Sequence, residues 1–225
     1  MQKPVPQELN SLNLLEISKA LYKIEHFIFF GTLLGIVRDG DIIPYDDDID
    51  FYVDINLRTD LIIALKEYGF DVNENKWPNF SKYFLQLQIK RDGIQTYVDF
   101  YFYDQSNKNY IIEKWNFSGN IDNVYNEMHI PKDLIFPLQT FKYRDVEILI
   151  PNKPVETCIF LYGKNWNVPL KKNIQYSNAM FFHRPIVLKG IHGKFIMSTI
   201  KYFQSFKQKL RRLPRKAKSF FKMNY

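Results

Sequence analysis

The stretch that decides the fold runs from Phe30 to Asp50 and has the sequence FGTLLGIVRDGDIIPYDDDID. Four of its last five residues are aspartates, at positions 46, 47, 48 and 50. The aspartates lead directly into an apolar segment, Ile49 to Val53, whose partial alternation predicts a buried strand. The sequence therefore places an acidic cluster at the entrance of a strand.

The spacing of these aspartates predicts a metal site. Residues two apart in an extended strand lie on the same face, so Asp48 and Asp50 should point the same way. Neighbouring carboxylates repel each other, and a divalent cation between them removes the repulsion. Oxygen-only ligands favour Mg²⁺, with Mn²⁺ as the second choice. Asp46 could join them if the chain is extended there, whereas Asp47 should face away. The alternative is a solvated acidic loop.

A further carboxylate, Asp99, lies in the apolar segment Tyr97 to Phe102. A lone buried aspartate needs a partner. Asp99 could complete the metal shell or act as a general base toward an acceptor hydroxyl. The alternative is an edge-strand aspartate that faces water.

Gly31 and Thr32 lie at a predicted junction between a strand and a helix. Backbone N–H groups at a helix start bind phosphate, and a small residue lets the phosphate approach. Gly-Thr is also an ordinary helix N-cap. Arg38 could neutralise a diphosphate, or it could form a surface ion pair with Asp39 or Asp41. The first interpretation makes these residues substrate-binding.

The rest of the pattern predicts an α+β domain with a mixed sheet flanked by helices. We expect helices over 7–27, 33–38, 58–68 and 154–162. We expect strands over 27–30, 49–53, 84–89 and 97–103, and a strand or hairpin over 141–150. The turn Lys90-Arg91-Asp92-Gly93 predicts that two of these strands form a hairpin.

The charge is distributed unevenly along the chain, which has 31 Lys and Arg against 24 Asp and Glu, a net charge of +7. Residues 157–225 hold 15 of the basic residues and none of the acidic ones. The net positive charge is therefore a property of the C-terminal part rather than a sign that the whole chain binds nucleic acid. We expect no nucleic-acid partner.

Residues 194–225 predict a basic amphipathic helix. Ten basic residues lie between Lys194 and Lys222. Large apolar residues recur there at helical spacing, at Phe195, Phe203, Phe206, Leu210 and Leu213. A basic face opposite large aromatics is typical of a helix that lies in the membrane interface, here an anionic surface. The alternatives are a helix packed on the domain and an RNA-binding segment.

The cysteine content and the apolar runs predict the compartment. Cys158 is the single cysteine, so the chain can form no internal disulfide and no cysteine-based zinc site. Residues 1–6 lack the apolar region of a signal peptide, and no apolar run approaches the roughly 18 residues that span a bilayer. We expect a cytoplasmic protein, peripheral on the inner face of the cell membrane.

Residues 30–50 closely resemble the signature of the LicD family, which includes bacterial phosphocholine transferases and the fukutin-related ribitol-phosphate transferases. The signature is Gly-Thr/Ser-Leu-Leu-Gly, a basic residue, Ile-Pro-aromatic, and Asp-x-Asp-hydrophobic-Asp. Val98-Asp99-Phe100 resembles the family's second acidic strand. Residues 161–169, LYGKNWNVP, resemble its closing Tyr-Gly-x-x-Trp segment. The resemblance covers roughly residues 9–169.

The resemblance implies a nucleotidyltransferase-type fold over residues 1–170, followed by a connecting segment, 171–193, and the helix 194–225. It implies that Asp48 and Asp50 are the metal-binding pair, that Asp46 is the preceding acid, and that Asp99 is the third carboxylate. Asp48, Asp50 and Asp99 are thus expected to be catalytic. The expected substrate-binding residues are Gly31, Thr32, Arg38 and Asp46, and the expected metal ligands are Asp46, Asp48 and Asp50.

The resemblance also implies a Mg²⁺-dependent phosphotransferase. We expect it to move a phosphoryl-linked small alcohol from a CDP-activated donor to a hydroxyl of a cell-surface glycan or its lipid-linked precursor, releasing CMP. Phosphocholine is the first candidate, and a polyol phosphate is the next. The alternative is a nucleotidyltransferase that attaches NMP to a protein, sugar or RNA and releases pyrophosphate. An inactive membrane-bound scaffold should lack the acidic residues, which this sequence retains.

Overall fold

The computed structural model describes residues 7–72, 82–114, 126–169 and 186–188. The chain divides into two compact units, residues 1–186 and 187–225. The predicted helix 194–225 lies outside the described residues. Of the predicted connecting segment 171–193, only a three-residue strand is described.

The first unit alternates between helices and strands, as an α+β domain does. The helices are α1 (Gln7–Ala20), α2 (Phe30–Asp39), α3 (Arg58–Tyr68), α4 (Lys132–Ile135) and α5 (Pro154–Tyr162), with a 3₁₀ turn at Ile55–Leu57. The strands are β1 (His26–Ile28), β2 (Asp48–Asp54), β3 (Phe84–Arg91), β4 (Ile94–Asp104), β5 (Tyr110–Glu113), β6 (Asn126–Pro131), β7 (Gln139–Tyr143) and β8 (Val146–Ile150), with β9 (Ile186–Leu188) across the boundary between the units.

Strand β4 is the centre of the main sheet. On one side it pairs in parallel with β2, and β1 pairs antiparallel with the far edge of β2. On its other side β4 pairs antiparallel with β3 and, further along, with β5. β6 pairs antiparallel with β5, and β7 and β8 form a separate hairpin. The sheet is mixed, and the predicted fold class is confirmed.

Aromatic residues fill both faces of the central strands. The rings of Phe29 and Tyr52 stack with centroids 4.0 Å apart, and those of Phe51 and Phe100 stack at 5.5 Å. All four side chains are fully buried. A parallel strand pair that is covered on both faces is a rigid platform, and the acidic residues lie at one end of it.

The β3–β4 hairpin has the predicted turn. Asp92 and Gly93 have φ angles of 50° and 78°, and Arg91 faces Ile94 across the turn. Two successive positive φ angles define a type I′ turn, for which Asp-Gly is a preferred sequence. This turn fixes the register of the whole hairpin.

Two predicted boundaries at the start of the domain are wrong. Helix α1 ends at Ala20 rather than near Phe27, because the chain must turn so that His26–Ile28 can pair with β2. Helix α2 begins at Phe30, before the expected Leu33. The Phe29 N–H still donates to the Asp50 carbonyl at 3.0 Å, and the helix starts directly after that bond.

Five elements were not predicted: β5, β6, β9, α4 and the 3₁₀ turn at Ile55–Leu57. β5 and β6 lie at the side of the sheet away from the acidic cluster. α4 is only four residues long, too short for a periodic pattern to indicate it.

Candidate metal-binding and active site

The parallel pairing of β2 with β4 brings the predicted acids together. Asp50 lies directly opposite Asp99 in the register, and Asp48 precedes Asp50 on the same face. Carboxylate oxygens of Asp48, Asp50 and Asp99 all lie within 4.8 Å of one another. Asp50 and Asp99 are buried, and Asp48 is half-buried at the solvent side.

Burial and mutual repulsion make these carboxyl groups hard to ionise. Burial is the main cause that raises the pKa of Asp48 to about 6 and that of Asp99 to about 8, and neighbouring acids add to both shifts. The pKa of Asp50 is raised well above its usual value, again chiefly by burial and then by Asp48 and Asp99. Such a group of acids favours protonation or a bound cation. Three carboxylates within reach of one ion fit a hard divalent cation such as Mg²⁺.

Asp46 and Asp47 extend the cluster toward solvent. Their carboxylates and that of Asp48 also lie within 4.8 Å of one another. Burial raises the pKa of Asp46 to about 7, with repulsion from Asp48 and Asp47 as the next causes. The carboxylate of Asp46 therefore lies with these acids although the chain turns there rather than extends, and its role as a metal ligand stays a prediction.

Asp47 does not face away from the cluster as strand alternation predicts, although its side chain is exposed. The strand begins only at Asp48. Residues 43–46 form a turn in which the Asp46 N–H donates to the Ile43 carbonyl at 3.2 Å and Tyr45 has a φ of 69°. The alternation of side chains does not extend back through this turn, so Asp47 keeps its carboxylate near its neighbours.

The start of α2 is tied to Asp50. The Gly31 N–H donates to Asp50 Oδ2 at 2.9 Å, and the Thr32 N–H approaches the same oxygen at 3.4 Å. In return, the Asp50 N–H donates to Thr32 Oγ1 at 2.8 Å. The sequence suggested these N–H groups for substrate phosphate. In the structure they hydrogen-bond to an acid of the cluster, and their role toward substrate stays a prediction.

Gly31 also lies directly against two of the acids. A Cβ atom at this position would lie 3.1 Å from Asp46 Oδ2 and 3.3 Å from Asp50 Oδ2. An alanine here would therefore displace the two carboxylates by a few tenths of an ångström. The substrate role expected of Gly31 stays a prediction.

Arg38 lies at the opposite end of α2 from Gly31. Its Nε and Nη2 atoms bind the Asp39 carboxylate, with the shortest contact 2.6 Å. This ion pair is the alternative to donor binding that we considered for Arg38 from the sequence. Arg38 lies seven positions after Gly31, about 10 Å along the helix axis, so its contact with a donor diphosphate stays a prediction.

Two residues that hydrogen-bond to Asp99 were not predicted from the sequence. Gln86 Nε2 donates to Asp99 Oδ1 at 2.7 Å, and Tyr101 Oη donates to Oδ2 at 3.4 Å. The first contact could have been found, since the Asp92-Gly93 turn fixes a register that places Gln86 opposite Asp99. Tyr101 follows Asp99 by two residues and so shares its face of the sheet.

Within the described ranges, no helix combines the length and the apolar character needed to cross a membrane. Fold and site together define a mixed-sheet domain with a candidate divalent-metal site beside a helix N-terminus. The family model described as "LicD/FKTN/FKRP, nucleotidyltransferase domain" matches residues 23–153, more than half of the chain. The chain belongs to this family.

The curated relatives include the ribitol-5-phosphate transferase FKTN of Homo sapiens, which is 27% identical over 146 residues, covering 63% of this chain and 29% of that protein. The lipopolysaccharide cholinephosphotransferase LicD of Haemophilus influenzae is 46% identical over 50 residues, covering 21% of this chain and 19% of that protein. The chain thus matches less than a third of the length of either relative.

Among solved structures, the lincosamide antibiotic adenylyltransferase LnuA with bound lincomycin aligns with a TM-score of 0.45 at 15% sequence identity. The alignment covers 78% of this chain and 97% of that one.

Proposed function

We propose that this chain transfers a phosphoryl-linked small alcohol from a CDP-activated donor to a hydroxyl of a cell-surface glycan or its lipid-linked precursor. The observation that carries the proposal is the convergence of Asp48, Asp50 and Asp99 within 4.8 Å at the end of the parallel strand pair. Membership of the LicD/FKTN/FKRP family supports a transfer of this type.

Asp48 and Asp50 would hold Mg²⁺ or Mn²⁺, with Asp46 on the solvent side and Asp99 opposite Asp50. The bound ion would neutralise charge on the donor diphosphate. The Gly31 and Thr32 N–H groups keep Asp50 oriented toward the site, and the absence of a side chain at Gly31 leaves the carboxylates of Asp46 and Asp50 undisturbed.

Transfer replaces one phosphoester bond with another. The acceptor hydroxyl oxygen forms a bond to the distal phosphorus of the donor, the P–O bond within the diphosphate breaks, and CMP leaves. Asp99 either completes the ligand set or accepts the proton of the hydroxyl. Gln86 and Tyr101 hold both oxygens of Asp99 in place for either role.

The names of the relatives support the choice of transferred group. One is named for ribitol-5-phosphate transfer and the other for cholinephosphate transfer to lipopolysaccharide. Phosphocholine is the first candidate for the transferred group and a polyol phosphate the second. The basic segment 194–225 would hold the protein at an anionic membrane surface, where a lipid-linked acceptor would be found.

The test is a screen of CDP-choline, CDP-ribitol, CDP-glycerol and CDP-ethanolamine for release of CMP in the presence of Mg²⁺. The proposal predicts CMP release from one of these donors, increased by a glycan acceptor. Release of pyrophosphate from a nucleoside triphosphate, with no CMP from any CDP-alcohol, would support nucleotidyl transfer instead.

A further inference from the structure

The backbone of the acidic segment 46–48 is held from both edges. On one edge, the Asp47 carbonyl accepts a hydrogen bond from the Tyr97 N–H of β4 at 2.9 Å. On the other edge, β1 pairs only with residues 51–53. The carbonyls of Asp46 and Asp48 therefore extend past the end of β1.

Asn10 of α1 binds these two carbonyls. Its Nδ2 atom donates to the Asp46 carbonyl at 2.8 Å and approaches the Asp48 carbonyl at 3.4 Å. The side-chain amide thus takes the place of the backbone donors that a longer neighbouring strand would supply.

These bonds affect the direction of the carboxylates. The carbonyl of a residue and its side chain are attached to the same Cα atom, so a rotation of the backbone at that residue moves both. A bond that fixes the carbonyls of Asp46 and Asp48 therefore also limits how far their carboxylates can turn away from the site.

Asn13 fixes the orientation of the Asn10 amide. Asn13 Nδ2 donates to Asn10 Oδ1 at 3.3 Å and to Thr96 Oγ1 at 2.8 Å, and Asn13 Oδ1 accepts from Arg91 Nε at 3.3 Å. Because Asn10 Oδ1 accepts from Asn13, the donor atom of Asn10 is the one that faces the acidic segment. Both asparagines are fully buried, where a polar side chain is tolerated only if it is hydrogen-bonded.

We propose that Asn10 is a positioning residue for the acidic site, acting through the backbone of Asp46 and Asp48 without touching metal or substrate. The effect on metal affinity rests on the proposed function, whereas the restraint of the segment does not. Groups that orient metal ligands from behind typically change metal affinity about 10- to 100-fold when they are removed.

The test compares Asn10→Ala with Ser11→Ala. Ser11 is the next residue of α1 and is also fully buried, but its hydroxyl bonds to Tyr143 Oη at 2.7 Å rather than to the acidic segment. Two quantities are measured: Mn²⁺ affinity by calorimetry, and hydrogen–deuterium exchange of residues 43–50 in the metal-free protein.

We expect Asn10→Ala to weaken Mn²⁺ binding about tenfold or more and to speed exchange in residues 46–48, with Ser11→Ala close to wild type in both. Equal effects of the two variants, or no effect of Asn10→Ala, would overturn the proposal. If wild type binds no Mn²⁺, the metal function itself fails, and the exchange comparison alone decides whether Asn10 restrains the segment.

A second variant covers the case in which Asn10→Ala does not fold. Asn13→Ala removes the bond that orients the Asn10 amide and leaves Asn10 in place. It should affect Mn²⁺ affinity and exchange less than Asn10→Ala would, but more than Ser11→Ala. Values equal to those of Ser11→Ala would overturn the proposal.

Discussion

Asp50 shows how crowded the acidic site is at the scale of single residues. It is buried, it lies opposite Asp99, and its pKa is raised by burial and by the neighbouring acids. The side chain nevertheless accepts the Gly31 N–H, which holds it toward the other carboxylates. A folded domain that keeps this arrangement gives up stability unless protons or a cation compensate the charge.

The first prediction is a pH dependence of stability in the metal-free protein. The pKa values of Asp46 and Asp99 are about 7 and about 8 in the folded state and near 4 when unfolded. The folded state therefore binds more protons, and its stability should fall as pH rises from about 6.5 to about 8. His26, whose pKa is lowered by burial, affects stability only below this window, because an unfolded histidine titrates near 6.5.

Thermal unfolding at several pH values, with and without Mg²⁺, checks this prediction. Mg²⁺ should compensate the ionised carboxylates, so its stabilising effect should be larger at about pH 8 than at about pH 6.5. A metal-free melting temperature that stays level or rises over this range, together with an equal Mg²⁺ effect at both ends, would contradict it.

Arg38 could bind the donor or only form the ion pair with Asp39, and variants of both residues distinguish these two roles. If it contacts the donor diphosphate, Arg38→Ala should weaken donor binding, and Arg38→Lys should restore only part because lysine lacks the bidentate geometry. Asp39→Ala, which removes only the ion-pair partner, should leave donor affinity unchanged. Equal loss of stability in both alanine variants with normal donor affinity would assign Arg38 to the ion pair alone.

At this scale the sequence predicts the acids but not how they are held. The alternation in Asp48-Ile49-Asp50 is local, so the same-face arrangement can be deduced from it. The pairing of Asp50 with Asp99 depends on a parallel register between strands that are separated by α3 and β3. The contacts of Asn10 with the acidic segment could not be predicted, because no local sequence pattern indicates the partner of a buried asparagine in a helix.

Helix α2 connects the fold to the site at the scale of elements. Its N-terminus lies beside the acids through Gly31, and its middle packs on the loop before them through Gly35. A Cβ atom at Gly35 would lie 2.6 Å from the Asp41 carbonyl oxygen and 3.0 Å from the Ile43 N atom. Gly31 therefore allows a close approach to side-chain carboxylates, whereas Gly35 allows a close approach to backbone atoms.

Alanine substitutions at the two glycines should have different effects on stability and on Mn²⁺ binding. Gly35→Ala meets backbone atoms that cannot move freely, so it should lower the free energy of unfolding by about 1–3 kcal/mol. Gly31→Ala meets only the ends of two side chains, so it should change stability little while reducing Mn²⁺ affinity and activity. Thermal unfolding and calorimetry measure both effects, and a Gly31→Ala variant with wild-type Mn²⁺ affinity and activity would contradict the placement of the site.

The elements themselves were predicted to the extent that each has a local signal. The limits of α3 and α5 match the expected ranges 58–68 and 154–162, because a glycine follows each helix directly. The end of α1 could not be found in this way, since Leu21 and Ile24 continue the apolar pattern beyond the helix. The pairing of β1 with β2 ends the helix early, and that contact is not local.

The distribution of charge is the main feature at the scale of the whole molecule. Residues 157–225 carry 15 basic residues and no acidic ones, while the acids of the candidate site all lie between residues 46 and 99. This distribution of charge is the one that the proposed metal site and the proposed membrane contact of the C-terminal segment would need. Each basic residue near such a surface contributes about 1 kcal/mol.

Sedimentation with liposomes tests the membrane proposal. The full chain should bind anionic vesicles in a salt-sensitive way and should bind neutral vesicles much less. A chain truncated after Gly193 should remain folded by circular dichroism and stay in the supernatant. Truncation that unfolds the protein would indicate a helix packed on the domain, and a full chain that ignores anionic lipid would rule out the anchor.

The most direct test of the metal-dependent transfer is CMP release from the preferred CDP-alcohol, measured against Mg²⁺ concentration in wild type, Asp48→Asn, Asp50→Asn and Asp47→Asn. The first two variants should fold and lose turnover at all Mg²⁺ concentrations, because each removes a charge that holds the ion. Asp47→Asn should keep most activity, since its side chain is exposed at the edge of the cluster. CMP release that does not require Mg²⁺, or equal loss in all three variants, would contradict the proposed site.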